Sequence, residues 1–102
     1  MEIKSIEDFK LRVAPALGNT VVKYRHFEES DFGAQDEVYF ELNNYGVEIN
    51  FWDTGWFGIY IYDMNKGDFY LNRLLEPEQT EEKKGVWPIF LDFLRSLNVG
   101  KF

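Results

Sequence analysis

Nine carboxylates and eleven aromatic rings fall within residues 26–65, a stretch of forty positions that contains no Lys or Arg. The acids are Glu28, Glu29, Asp31, Asp36, Glu37, Glu41, Glu48, Asp53 and Asp63. Of the formal charge of −7, this stretch contributes −9 and the rest of the chain +2. Carboxylates do chemistry in three ways: as acid–base pairs, as ligands for hard cations, and as a field that attracts a positively charged partner. The first two require convergence on a point, whereas the third requires only a surface. Tyr and Trp among the acids add contact area that is ordered at little entropic cost. The residue types therefore favour binding of a basic partner.

The sharper chemistries each lack a component. The single histidine, His26, follows Arg25 and has no Cys or Ser close by in sequence, so it reads as a structural or surface residue rather than a base. The hydroxyls are Ser5, Thr20, Ser30, Thr54, Thr80 and Ser96, and none lies in a nucleophile-elbow pattern. With no Cys and one His, zinc and soft-metal sites are excluded. The segment 63–68 has part of the spacing of a calcium loop, but Gly67 comes one position early and Leu74 stands where the bidentate Glu is needed. A hairpin turn explains the same residues. Asp53 and Asp63 flank one strand and cannot converge as a hydrolytic pair. The glycines are scattered and form no phosphate loop. A pI of about 4.6 opposes contact with nucleic-acid phosphates. The expectation is a non-enzymatic protein with no catalytic residues, no metal and no cofactor.

The elements that position these residues are legible from periodicity. A chain of 102 residues, 45% hydrophobic, forms one domain over 1–102 with one core. Ser5, followed by Glu7 and Asp8, reads as a helix N-cap with acids in the first turn. Ile6, Phe9, Val13 and Leu17 follow at helical spacing, and Pro15 and Gly18 are stop signals, so a helix is predicted over 6–16. Five strands come next. Residues 20–28 are β-rich. In 36–43, Val38, Phe40 and Leu42 alternate with Glu37, Tyr39, Glu41 and Asn43. Val47, Ile49 and Phe51 alternate with Glu48, Asn50 and Trp52. Phe57, Ile59 and Ile61 alternate with Gly58, Tyr60 and Tyr62, and Phe69 and Leu71 flank Tyr70.

Turn lengths test the alternation, because a one-residue slip exchanges the two faces. A three-residue loop, Asp53-Thr54-Gly55, pairs Phe51 with Phe57, Ile49 with Ile59 and Val47 with Ile61, and gives Gly55 the left-handed position. A matching loop, Asn65-Lys66-Gly67, pairs Ile61 with Leu71. The tight turn at 43–46 allows two registers, one of which sets Glu41 opposite Glu48, an unfavourable like-charge pair. At the C-terminus, Pro88 reads as the first residue of a helix with Trp87, Phe90, Leu91, Leu94 and Leu97 on one side. Residues 76–84 form a polar lead, and Asn98 and Gly100 end the helix. Helix, strands and helix in that order predict an α+β two-layer sandwich, an antiparallel β-meander of about five strands with both helices on one face.

With helices on the Val38/Ile49/Ile59 side, the opposite side carries the candidate partner-binding residues Glu37, Tyr39, Glu41, Glu48, Asn50, Trp52, Tyr60 and Tyr62, with Tyr70 beside them. Gly58, next to Asn50, is expected to leave a notch in this face. The N-terminus has no apolar leader and no run approaches the ~18 apolar residues of a membrane span, so a cytoplasmic protein without membrane contact is expected.

A small, Cys-free, strongly acidic α+β chain with an aromatic–acidic face resembles the immunity proteins of bacterial toxin–immunity pairs, including those of contact-dependent growth inhibition and other polymorphic toxin systems. The likeness lies in size, charge and layout. It implies a cytoplasmic, monomeric inhibitor that occludes the active site of one cognate basic toxin domain, often a nuclease. Three other readings are a secretion-type chaperone, expected as a homodimer, a small-ligand module using the Tyr/Trp face, and an acid-dependent hydrolase, which requires a cleft of convergent carboxylates.

Overall fold

The first helix starts where its cap predicts. In the computed structural model, which describes residues 1–99, the Ser5 hydroxyl accepts the Asp8 N–H at 3.1 Å and the Asp8 carboxylate accepts the Lys4 N–H at 3.0 Å. Helix α1 then runs Ile6–Arg12. It is shorter than the 6–16 expected, and a 3₁₀ turn, Ala14–Leu17, follows it. Pro15 is the cause: it has no N–H for the Leu11 carbonyl, and its ring disfavours helical backbone at the residue before it. Gly18, at φ +59°, completes the stop.

Five strands follow, β1 Lys23–Phe27, β2 Gln35–Leu42, β3 Tyr45–Trp52, β4 Phe57–Asp63 and β5 Asp68–Leu75. They form one antiparallel sheet in the order β1-β2-β3-β4-β5, the meander expected from alternation. The β3–β4 hairpin has the predicted register, with Phe51 opposite Phe57, Ile49 opposite Ile59 and Val47 opposite Ile61. Gly55 takes φ +97°, as the three-residue loop demands. Asn43 and Asn44, both at positive φ, make a two-residue β2–β3 turn that sets Leu42 opposite Tyr45.

The β4–β5 connection departs from expectation. The strands end at Asp63 and resume at Asp68, so the turn is residues 64–67, one longer than predicted. The Asp63 carboxylate accepts the N–H groups of Asn65 and Lys66 at 3.0 and 3.1 Å, which is hairpin-turn chemistry rather than calcium chemistry. The extra residue is absorbed by a bulge, because the register steps from Tyr62–Phe69 to Ile61–Leu71 and leaves Tyr70 unpaired. The Ile61–Leu71 pair survives, but Phe69 moves to the outer face and Tyr70 turns inward, its ring 5.2 Å from that of Phe93.

Helix α2 spans Thr80–Ser96, so Pro88 lies inside it rather than at its start, and part of the polar lead is helical. An interior proline removes one helical hydrogen bond and costs about 3 kcal/mol. Val86 and Trp87, 3% and 1% exposed, offset it, because an unbroken helix seats both in the core at about 1.5–3 kcal/mol per side chain. The helix ends with Asn98 at φ +58°, whose N–H donates to Arg95 O at 2.9 Å while the Val99 N–H reaches Leu94 O at 3.0 Å. Asn98 thus terminates α2 as expected, whereas Gly100 lies outside the described residues.

Both helices pack on one sheet face. Phe9 of α1 lies 6.1 Å from Phe40 and Trp87 of α2 lies 5.4 Å from Phe57, ring centre to ring centre. Val38, Val47, Ile49, Ile59 and Ile61 are sealed beneath them. Among the described residues no helix is long and apolar enough to cross a membrane. Among the described residues the opposite sheet face carries no helix.

Candidate functional site

Because β2, β3 and β4 pair in register, their outward side chains form rows across the sheet. One row runs Tyr39–Glu48–Tyr60, so Glu48 has a tyrosine on each side. The next runs Glu41–Gly46–Tyr62 and continues to Phe69 of β5. The two-residue turn at Asn43-Asn44 thus sets Gly46, not Glu48, opposite Glu41, and the like-charge pair does not form. The Tyr39 hydroxyl donates to Glu41 at 2.9 Å instead.

Gly46 carries no side chain in this pleated surface, and the Tyr39 hydroxyl leans toward it, 3.2 Å from where a Cβ would lie. A shallow depression of about 360 Å³ surrounds it, lined by Tyr39, Gly46, Glu48, Tyr60, Tyr62, Met64 and Phe69. The notch expected at Gly58 is absent, because Tyr60 folds back along its own strand and places its hydroxyl where a Gly58 side chain would be. The depression brings together four of the eight candidate residues, Tyr39, Glu48, Tyr60 and Tyr62, and Glu41 is held at its rim. Met64 and Phe69, 45% and 48% exposed, complete it. Sequence reasoning missed both: Phe69 alternates with Leu71 as a core residue would, and only the bulge at Tyr70 reverses its face.

The remaining candidates lie at the other end of the face and are less accessible. Asn50 is 2% exposed, its side chain accepting from Gln35 at 2.6 Å and donating to Glu48 at 2.8 Å. Trp52 donates to the Ser30 hydroxyl at 2.8 Å and meets the Phe32 ring edge-on at 5.4 Å. Phe32 in turn stacks on Trp56 at 4.0 Å, so the β1–β2 loop covers this corner. Glu37, 13% exposed at its side chain, faces the Arg25 guanidinium at 3.5 Å. The strand β1 thus brings its own cation to Glu37. Among the described residues no cation lies within ion-pair distance of Glu41 or Glu48.

The local field is negative. Tyr39 is raised above the usual phenol pKa chiefly because its hydroxyl donates to Glu41, with burial and the charges of Glu41 and Glu48 adding to it. Tyr60 is raised by burial first and by Glu48 second. Both phenols stay protonated at neutral pH and present donors and ring faces, not charge.

His26 stands outside this surface, at the sheet end near the start of α1. Its Nδ1 lies 2.7 Å from Asp36 and its Nε2 lies 3.1 Å from Glu28, so carboxylates hold both ring nitrogens. The hydrogen bond to Asp36 is the main cause of a pKa raised above 6.5. A raised histidine pKa contributes stability fully below 6.5 and loses it as pH rises through the folded value. NMR titration of the ring protons is expected to show His26 titrating above 6.5, and Asp36→Asn to return it toward 6.5; an unshifted curve in the wild type refutes the bridge.

Among the described residues no group of three or more His, Cys, Asp or Glu is placed to hold a metal ion. Comparison with known proteins finds no family model, no curated protein and no solved structure that matches this chain.

Proposed function

We propose that the protein is a non-enzymatic inhibitor of the immunity type, a cytoplasmic monomer that binds a cognate basic toxin domain and occludes its active site. The observation that carries this reading is the surface around Gly46, free of helices among the described residues, where Tyr39, Tyr60, Tyr62, Met64 and Phe69 surround Glu48, a carboxylate that no cation among those residues pairs with. The rings supply anchors of the kind that dominate interface energies, and the acids steer a basic partner toward them. The residues that make contact are Tyr39, Glu41, Glu48, Tyr60 and Tyr62; Glu37, Asn50 and Trp52, at the other end of the same face, are engaged by Arg25, Gln35 and Ser30 of the chain itself.

The test is calorimetric titration with the purified product of the adjacent gene. A one-to-one complex is expected whose affinity falls with salt, and Tyr60→Ala with Tyr62→Ala is expected to cost about 2 kcal/mol, roughly thirtyfold. A complex indifferent to both substitutions overturns this face as the interface. A stable homodimer in solution favours the chaperone reading instead. The size of the depression, about 360 Å³, favours a small-ligand module as the second reading, since it falls at the low end of the range of ligand pockets.

A further inference from the structure

We infer that the depression at Gly46 is a subsite for a single arginine side chain presented by the partner, an assignment that rests on the protein-binding reading above and names the group it captures. The floor is backbone at Gly46, because that position has no side chain between Glu41 and Tyr62 in its row. The walls are the rings of Tyr39, Tyr60, Tyr62 and Phe69 with the thioether of Met64. Tyr62 and Phe69 meet edge to face at 5.2 Å, which braces the outer wall. Glu48 enters from the neighbouring row, its carboxylate oriented by the Asn50 side chain at 2.8 Å. Glu41 is held at the rim by the Tyr39 hydroxyl at 2.9 Å.

These parts match one chemistry. A planar guanidinium stacks on aromatic faces, binds carboxylates through a donor fork, and carries an apolar stem that apolar walls accommodate. The charge is complementary as well: Glu37 is already faced by Arg25, whereas Glu41 and Glu48 are not matched by any cation among the described residues. An anion is repelled by Glu41 and Glu48, and of the tyrosine hydroxyls around the depression that of Tyr39 is committed to Glu41. Lysine satisfies the charge but not the stacking or the fork.

The experiment uses the isolated protein and the blocked amino acid N-acetyl-arginine methylamide, followed by amide NMR shifts. Saturable shifts are expected at Gly46, Glu48, Tyr60, Tyr62 and Phe69, with the lysine analogue weaker and the uncharged citrulline analogue weaker by about tenfold. Glu48→Gln is expected to lower affinity for the arginine probe by about tenfold while amide shifts outside the depression stay as in the wild type. Gly46→Val fills the floor without changing charge; the side chain it adds meets the Tyr39 hydroxyl, 3.2 Å from the Cβ position, and loss of the arginine-probe shifts at an unchanged melting temperature is expected, whereas retained binding overturns the subsite. Equal binding of arginine and citrulline, or shifts centred elsewhere, overturns the subsite. If the probe fails while the gene-neighbour complex still depends on Tyr60 and Tyr62, the subsite falls and the protein-binding face stands; if that complex is absent or indifferent to these residues, the broader reading falls with it.

Discussion

Trp87→Ala is expected to remove about 3–5 kcal/mol of stability, the largest loss from any single truncation in α2. Trp87 is 1% exposed, and its ring packs 5.4 Å from Phe57 and 5.7 Å from Phe90. Truncation removes the transfer free energy of an indole and leaves a cavity bounded by a strand and by its own helix, neither of which can close it. The residue also precedes Pro88, so its burial is part of what keeps the helix continuous across a missing hydrogen bond. Against a total of about 5–15 kcal/mol for a domain, this loss unfolds a large share of molecules under mild conditions. Urea unfolding checks it: the midpoint is expected to fall with an unchanged slope, and Trp87→Phe to recover most of the difference. A loss under about 1 kcal/mol refutes the packing argument.

The second large effect concerns a polar group. Asn50→Asp is nearly isosteric, yet it is expected to cost about 3 kcal/mol at neutral pH. Asn50 is 2% exposed and both ends of its amide are used: Gln35 donates to its oxygen and its nitrogen donates to Glu48. A carboxylate keeps the first contact, loses the second, and sets a buried negative charge beside that of the half-buried Glu48. Burial and Glu48 both raise the pKa of the introduced acid above that of the unfolded chain. Protons are then bound more tightly by the folded state, so the defect shrinks as pH falls and grows as pH rises. Chemical unfolding at several pH values reads this slope directly. A penalty independent of pH places the damage in side-chain packing rather than in charge.

Both predictions concern features that the sequence revealed unequally. The β3–β4 hairpin was readable because two constraints agreed: alternation required an odd loop, and Gly55 supplied the left-handed residue such a loop needs. The β4–β5 hairpin offered the same cues, and they misled. A bulge adds one residue with no compositional signature, so Phe69 and Tyr70 exchanged faces while the Ile61–Leu71 pair beyond them stayed as expected. Pro88 read as a helix start because local propensity cannot register that Val86 and Trp87 both have core sites to fill. The outward display of the eight candidate side chains followed from period-two alternation alone. Which of them are reachable did not, since that depends on the β1–β2 loop folding over Trp52 and on Arg25 arriving beside Glu37 from a strand whose pairing the sequence left open. The notch was placed one glycine too far: Gly58 and Gly46 look alike in sequence, and each has a tyrosine leaning over it, Tyr60 at 2.9 Å and Tyr39 at 3.2 Å from the Cβ position, but only Gly58 is buried by it.

The same irregularity at Tyr70 has a consequence for crowded solutions. The strand β5 is an outermost strand whose free amide and carbonyl groups are an invitation to a second molecule. A bulge near its start, at Tyr70, bends the ribbon and breaks the spacing that an incoming strand must match. Pairing of copies through this border is thereby discouraged.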